Sequence, residues 1–170
     1  TDNLKDHLRN RAMLLVLDNF EQVIPAASLV ADLLKAGGGV KILVTSRESL
    51  RVSGEREYFV PPLALPNLTK LPSVESLSQY ASIELFLERA RAVKPDFHLT
   101  TDTAPAIAEI CYRLDGLPLA IELAAARIKL LPPRAMLARL ENRLEFLTGG
   151  ARELPARQQT LRNAIAWSYD

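Results

Sequence analysis

Four apolar residues run straight into a carboxylate and an amide at Leu14-Leu15-Val16-Leu17-Asp18-Asn19, and few folds can use such a stretch. A short apolar run with no polar alternation suits a buried parallel strand. Its acidic end then falls at the carboxyl edge of the sheet, where open α/β folds bind ligands. Asp18 is therefore the first candidate for function. On local grounds an aspartate there also serves as the cap of a following helix.

The flanking residues turn this strand into a crossover unit. Leu4 and Leu8 lie one helical turn apart in the polar stretch 1–11, which predicts a helix leading into a strand over residues 12–17. Val23, Ala27, Val30 and Leu34 then recur at three- and four-residue spacing, so residues 21–36 read as an amphipathic helix. Gly37-Gly38-Gly39 ends it, and the β-branched run 40–45 predicts a second strand. Strand, helix and strand joined by short loops make a parallel pair of adjacent strands. The second strand runs into Thr45-Ser46-Arg47-Glu48, so it also delivers polar groups to its carboxyl end. After the turn at Ser53-Gly54-Glu55, a short strand is predicted over residues 58–60, terminated by Pro61-Pro62 because proline cannot donate to a ladder.

Four prolines between positions 61 and 72 mark a linker, and beyond it the apolar period changes from two to 3.6. Ile83, Phe86, Leu87, Ala90 and Val93 form one helical stripe. Ile107, Ile110, Cys111 and Leu114 form another, opened by Asp102 or Thr103 with Pro105 in its first turn, which turns Cys111 toward a core. Residues 118–130 are apolar almost all round, as a central helix would be. Leu137, Leu140, Leu144 and Leu147 continue the pattern to Gly149-Gly150, and residues 157–169 predict a last helix.

Several function classes lose support on charge and composition. Lys and Arg number 21 against 20 acidic residues, so no electrostatic case arises for nucleic acid or an anionic membrane. No run of about 18 apolar residues is present to span a bilayer. The single Cys111 excludes an internal disulfide framework and fits a reducing, cytoplasmic compartment. His7 and His98 have no cysteine or carboxylate at metal spacing, and no Gly-x-Ser-x-Gly elbow appears. Trp167 and Tyr169 suit a core or an interface better than a stacking platform.

Three segments in order carry a resemblance: the apolar run with Asp18-Asn19, then Lys41-Ile42-Leu43-Val44-Thr45-Ser46-Arg47, then Leu114-Asp115-Gly116-Leu117-Pro118-Leu119-Ala120. The chain resembles the signal-transducing STAND NTPases with an NB-ARC-like core, a group that contains plant resistance proteins, apoptotic protease-activating factors and large bacterial transcriptional regulators. The turns Ser-Gly-Glu-Arg-Glu-Tyr and Arg-Gln-Gln-Thr-Leu-Arg-Asn-Ala-Ile-Ala-Trp-Ser-Tyr-Asp are most similar to those of the bacterial regulators. The resemblance implies an α/β fold class: a partial P-loop NTPase parallel sheet over residues 1–65, an all-α helical bundle subdomain over 66–150, and the start of a winged helix over 151–170.

The same resemblance implies an ATP/ADP switch held between the α/β and helical parts, with Mg²⁺ and the chain's own flanking domains as partners. Asp18 takes the Walker B position and supports Mg²⁺ through water, while Asn19 stands where many NTPases place a second acid. Glu21 is an alternative source of that acid. An amide cannot take a proton from the attacking water, so Asn19 weakens the case for turnover. Arg47 matches the sensor arginine that touches the γ-phosphate, where a rigid guanidinium fork suits phosphate oxygens. On local grounds it is an ion-pair partner for Glu48 or Glu55. Pro118 matches the proline that packs near the nucleotide base, and equally suits the first turn of a helix.

The glycines fall at 37–39, 54, 116, 149 and 150, and none begins Gly-x-x-x-x-Gly-Lys-[Ser/Thr], so the phosphate cradle is expected upstream of Thr1. The chain is then the middle of a longer switch, with ATPase activity expected only in that longer context. The competing class is a non-catalytic interaction scaffold that keeps this fold without hydrolysis.

Overall fold

The computed structural model describes residues 2–140, which form two compact units dividing after Val60. The sequence-predicted continuation through Leu144 and Leu147, the winged-helix opening at 151–170, Trp167 and Tyr169 lie outside the described residues.

The first unit contains α1 (Asp2–Leu8), β1 (Met13–Leu17), a 3-10 turn (Phe20–Ala26), α2 (Ala27–Ala36) and β2 (Val40–Val44). β1 and β2 are adjacent and parallel, in a register that sets Met13 opposite Val40 and Leu17 opposite Val44. That is the pairing expected of strand, helix and strand with short connections. Leu8, Leu33 and Val40 pack with Met13, Leu15 and Ile42, while Phe20, Ala27 and Val30 pack with Leu17, Val44, Leu50 and Val52.

Several details depart from the sequence expectation. The helix read over residues 21–36 is broken, because Pro25 lies inside it and Val23 takes a non-helical φ of −134°. Proline lacks the donor that an α-helix needs and clashes with the preceding turn, so the α-helix begins only at Ala27. Its buried stripe is accordingly Ala27, Val30 and Leu33, leaving Val23 and Leu34 exposed.

Among the described residues the strands are covered on one face only. Leu14, Val16 and Leu43 are 60%, 59% and 55% exposed, since strand side chains alternate and the helices occupy the other side. The strand expected over residues 58–60 is absent as well. Tyr58, Phe59 and Val60 stand 85%, 81% and 77% exposed, and among the described residues the sheet has two strands. β-propensity alone does not make a strand without a ladder to join.

The second unit contains α3 (Val74–Leu77), α4 (Ala81–Val93), α5 (Ala104–Arg113), α6 (Pro118–Ala125) and α7 (Pro133–Arg139). The two predicted stripes are its core: Ile83, Phe86, Leu87 and Ala90 from α4, and Ile107, Ile110 and Cys111 from α5, with Leu114 just beyond α5. α6 contributes Ile121, Leu123 and Ala124, and the Phe86 and Phe97 rings meet at 6.4 Å between centroids in a tilted arrangement. Arg89 of α4 reaches Glu122 of α6 at 3.1 Å. Residues 61–65, grouped by sequence with the α/β part, are hydrogen-bonded into the helical unit instead. The Leu63 N–H donates to the Gly116 carbonyl at 3.0 Å, and the fully buried Ser82 hydroxyl donates to the Ala64 carbonyl at 2.7 Å. A buried hydroxyl needs such a partner.

Cys111 sits inside this core, with its thiol donating to the Ser82 carbonyl at 3.5 Å. Burial pushes its pKa up to about 12. The thiolate is the nucleophile, so at pH 8 only about one such thiol in ten thousand is reactive. Maleimide labelling should be negligible in the native chain and complete in denaturant; rapid native labelling would show that the core opens.

Candidate functional site

The parallel register decides what meets at the carboxyl edge of the sheet. Leu17 lies opposite Val44, so the next residue of each strand brings Asp18 beside Thr45. The Thr45 hydroxyl donates to Asp18 Oδ1, and the Asn19 side-chain amide donates to Asp18 Oδ2 at 3.1 Å. The Asn19 backbone N–H donates to Thr45 Oγ1 at 3.0 Å, and the Phe20 N–H donates to the Thr45 carbonyl at 2.9 Å. An exposed carboxylate is thus held from both oxygens by neutral donors, which fixes its direction without cancelling its charge.

Asn19 has φ 57° and ψ 44°, the left-handed conformation. Asparagine tolerates that region better than most residues, so its local role is to turn the chain out of β1 and steady Asp18. Phe20 anchors the turn in the core at 7% exposure.

Arg47 lies on the segment after β2. Its Nε donates to Glu21 Oε1 at 3.2 Å, so among the described acidic residues it pairs with Glu21 and not with Glu48 or Glu55. Glu55 is engaged with backbone instead, its carboxylate accepting the Leu50 N–H at 2.8 Å and the Val52 N–H at 3.2 Å and so closing the loop that follows Arg47. Glu21 is tied to a guanidinium with a side chain only 7% exposed, and is therefore badly placed to draw a proton from water.

Pro118 belongs to the other compact unit, where it opens α6 behind the extended Leu117 and is itself exposed. Asp115 and Gly116, three and two residues before it, both have positive φ, 55° and 67°.

The residues at the sheet edge suit Mg²⁺ in one mode. No group of three metal-capable side chains occurs among the described residues, so they form no protein cage. A lone, oriented and exposed carboxylate suits an ion that keeps most of its waters and needs one or two carboxylates. The sequence places Thr45 among the polar groups after the second strand and offers Glu21 as an alternative acid, but it does not show that Thr45 holds Asp18 or that Glu21 holds Arg47. Equal strand ends would have signalled the first contact, since the residues after each strand lie beside one another across the edge; nothing signalled the second.

These features define a class of architecture, a parallel strand pair with a tethered carboxylate at its carboxyl edge, joined in sequence to a helical unit. Proteins similar to the whole chain are known. The chain is 41% identical over 169 residues to candidate HTH-type transcriptional regulators of Mycobacterium tuberculosis and Mycobacterium bovis, matching 99% of its own length and 18% of theirs. It is 40% identical over 169 residues to an uncharacterised protein of Mycobacterium tuberculosis, of which it covers 40%. The chain therefore spans less than half the length of each of these relatives. No protein-family model matches it, and no solved structure does so significantly. Among the described residues no helix is long and apolar enough to cross a membrane.

Proposed function

We propose that this chain is part of an ATP/ADP-binding switch inside a longer bacterial transcriptional regulator. The observation that carries the proposal is the Asp18, Asn19 and Thr45 cluster at the carboxyl edge of two parallel strands, together with Arg47 on the adjoining segment. The names of the long relatives support a regulatory setting. In this reading residues 13–44 belong to a larger P-loop NTPase sheet, and Leu14, Val16 and Leu43 form a face that the longer protein covers. Asp18 orients the water shell of Mg²⁺, which when bound offsets phosphate charge. Arg47 distinguishes a triphosphate from a diphosphate, and Pro118 starts the helix that reports the bound state.

A scaffold without hydrolysis is the second reading, favoured by one observation. Asn19 commits its amide to Asp18, and no carboxylate stands in its place to activate water.

The test is calorimetry on the full-length regulator with ATP and ADP in Mg²⁺. Wild type should bind both, and Arg47→Ala should lower the preference for ATP by about tenfold, the value of one charge-assisted phosphate contact. An unchanged preference removes the sensor role from Arg47. Binding of neither nucleotide by wild type leaves the scaffold.

A further inference from the structure

We propose that Glu21 is the positioning residue for Arg47, holding its guanidinium at the sheet edge so that it can read the terminal phosphate of a nucleoside triphosphate. This rests on the nucleotide-switch reading and adds to it a residue and a division of labour.

The two ends of the ion pair are unlike. The Glu21 side chain is 7% exposed and the Arg47 side chain 43% exposed, so the carboxylate is the fixed end and the guanidinium the accessible one. The backbone explains why. Glu21 follows Phe20, whose ring is buried and whose N–H donates to the Thr45 carbonyl, so Glu21 starts from an anchored position. Arg47 follows Thr45 by two residues and precedes the loop that Glu55 closes. The segments after β1 and β2 are therefore laced together four times, by Asp18 with Thr45, Asn19 with Thr45, Phe20 with Thr45, and Glu21 with Arg47.

The grip is on Nε, the stem side of the guanidinium. Fixing Nε sets the plane of the whole group, which a planar fork needs if it is to meet phosphate oxygens with correct alignment. The pair spans 26 residues of sequence and crosses from one post-strand segment to the other, so it sets where Arg47 stands relative to Asp18. A carboxylate this well shielded is costly unless a partner is held to it.

The experiment measures the ratio of ATP to ADP affinity in the full-length regulator, by calorimetry in Mg²⁺, with the melting temperature of each nucleotide-free variant beside it. Glu21→Ala should lower the ratio by about tenfold, as loss of a supporting partner does. Glu21→Gln, whose amide oxygen still accepts from Nε, should recover most of the discrimination. Arg47→Lys keeps the charge but has no guanidinium to grip, and should lose as much as Glu21→Ala. In the Arg47→Ala background, Glu21→Ala should change the ratio no further, because residues acting through one another are not additive.

A ratio within roughly twofold of wild type in Glu21→Ala, or wild-type discrimination in Arg47→Lys, overturns the inference while leaving nucleotide binding intact. Equal weakening of both nucleotides with a lowered melting temperature identifies a structural pair and overturns it too. Failure of wild type to bind either nucleotide overturns the switch reading itself.

Discussion

Gly116→Ala should destabilise the helical unit by about 3 kcal/mol, combining left-handed strain with displacement of the linker. Gly116 has φ 67°, and a Cβ built there would lie 2.5 Å from the Leu63 carbonyl oxygen and 3.3 Å from its nitrogen. Those are backbone atoms, which cannot rotate aside. The Gly116 carbonyl accepts the Leu63 N–H, and the Gly116 N–H donates to the Cys111 carbonyl at 3.2 Å, so one residue closes the end of α5 and docks the linker. Gly54→Ala is the control, with φ 84° and nothing within 4 Å of its Cβ position. It should cost only about 1 kcal/mol, the left-handed strain without the clash. Denaturant unfolding followed by circular dichroism reads both variants. Similar losses for the two would mean that the linker does not pack against Gly116.

If the proposed nucleotide switch turns over, Asp18→Ala in the full-length regulator should reduce Mg²⁺-dependent ATP hydrolysis about a hundredfold while changing nucleotide affinity much less, since a carboxylate serving the metal acts chiefly on the reacting phosphate. Thr45→Val should lose about tenfold, because it removes the hydroxyl donor that holds Asp18 Oδ1 and leaves the charge in place. The order Asp18 above Thr45 is the informative part. Phosphate release at matched nucleotide saturation measures it, and turnover unaffected by Asp18→Ala would exclude the metal-supporting role.

The Gly-Leu-Pro-Leu-Ala segment shows how a motif and its physical job differ. Read as a motif, it directs attention to Pro118. In the structure Pro118 sits exposed at a helix start, a position that suits proline in any protein, while Gly116 meets a requirement no other residue satisfies. The same contrast holds at the sheet edge. Arg47 is the residue that the motif names, and the carboxylate that accepts from its Nε is Glu21, which the sequence presents only as an alternative source of the acid missing at Asn19.

The sequence by itself determined what local periodicity can encode: two parallel strands from two apolar runs, the α4 and α5 stripes, the burial of Cys111, and the arrival of Asp18 and Arg47 after successive strands. Each follows from spacing along one element, where side-chain direction depends on backbone geometry alone. Only the tertiary structure decided which face of β1 and β2 is covered, that residues 58–60 make no strand, that Glu21 is the partner of Arg47, and that residues 61–65 pack with the helical unit. These depend on what lies across space rather than along the chain. A strand exists only beside a ladder, a carboxylate chooses among all the cations within reach, and a glycine reveals its necessity only when another backbone comes against it.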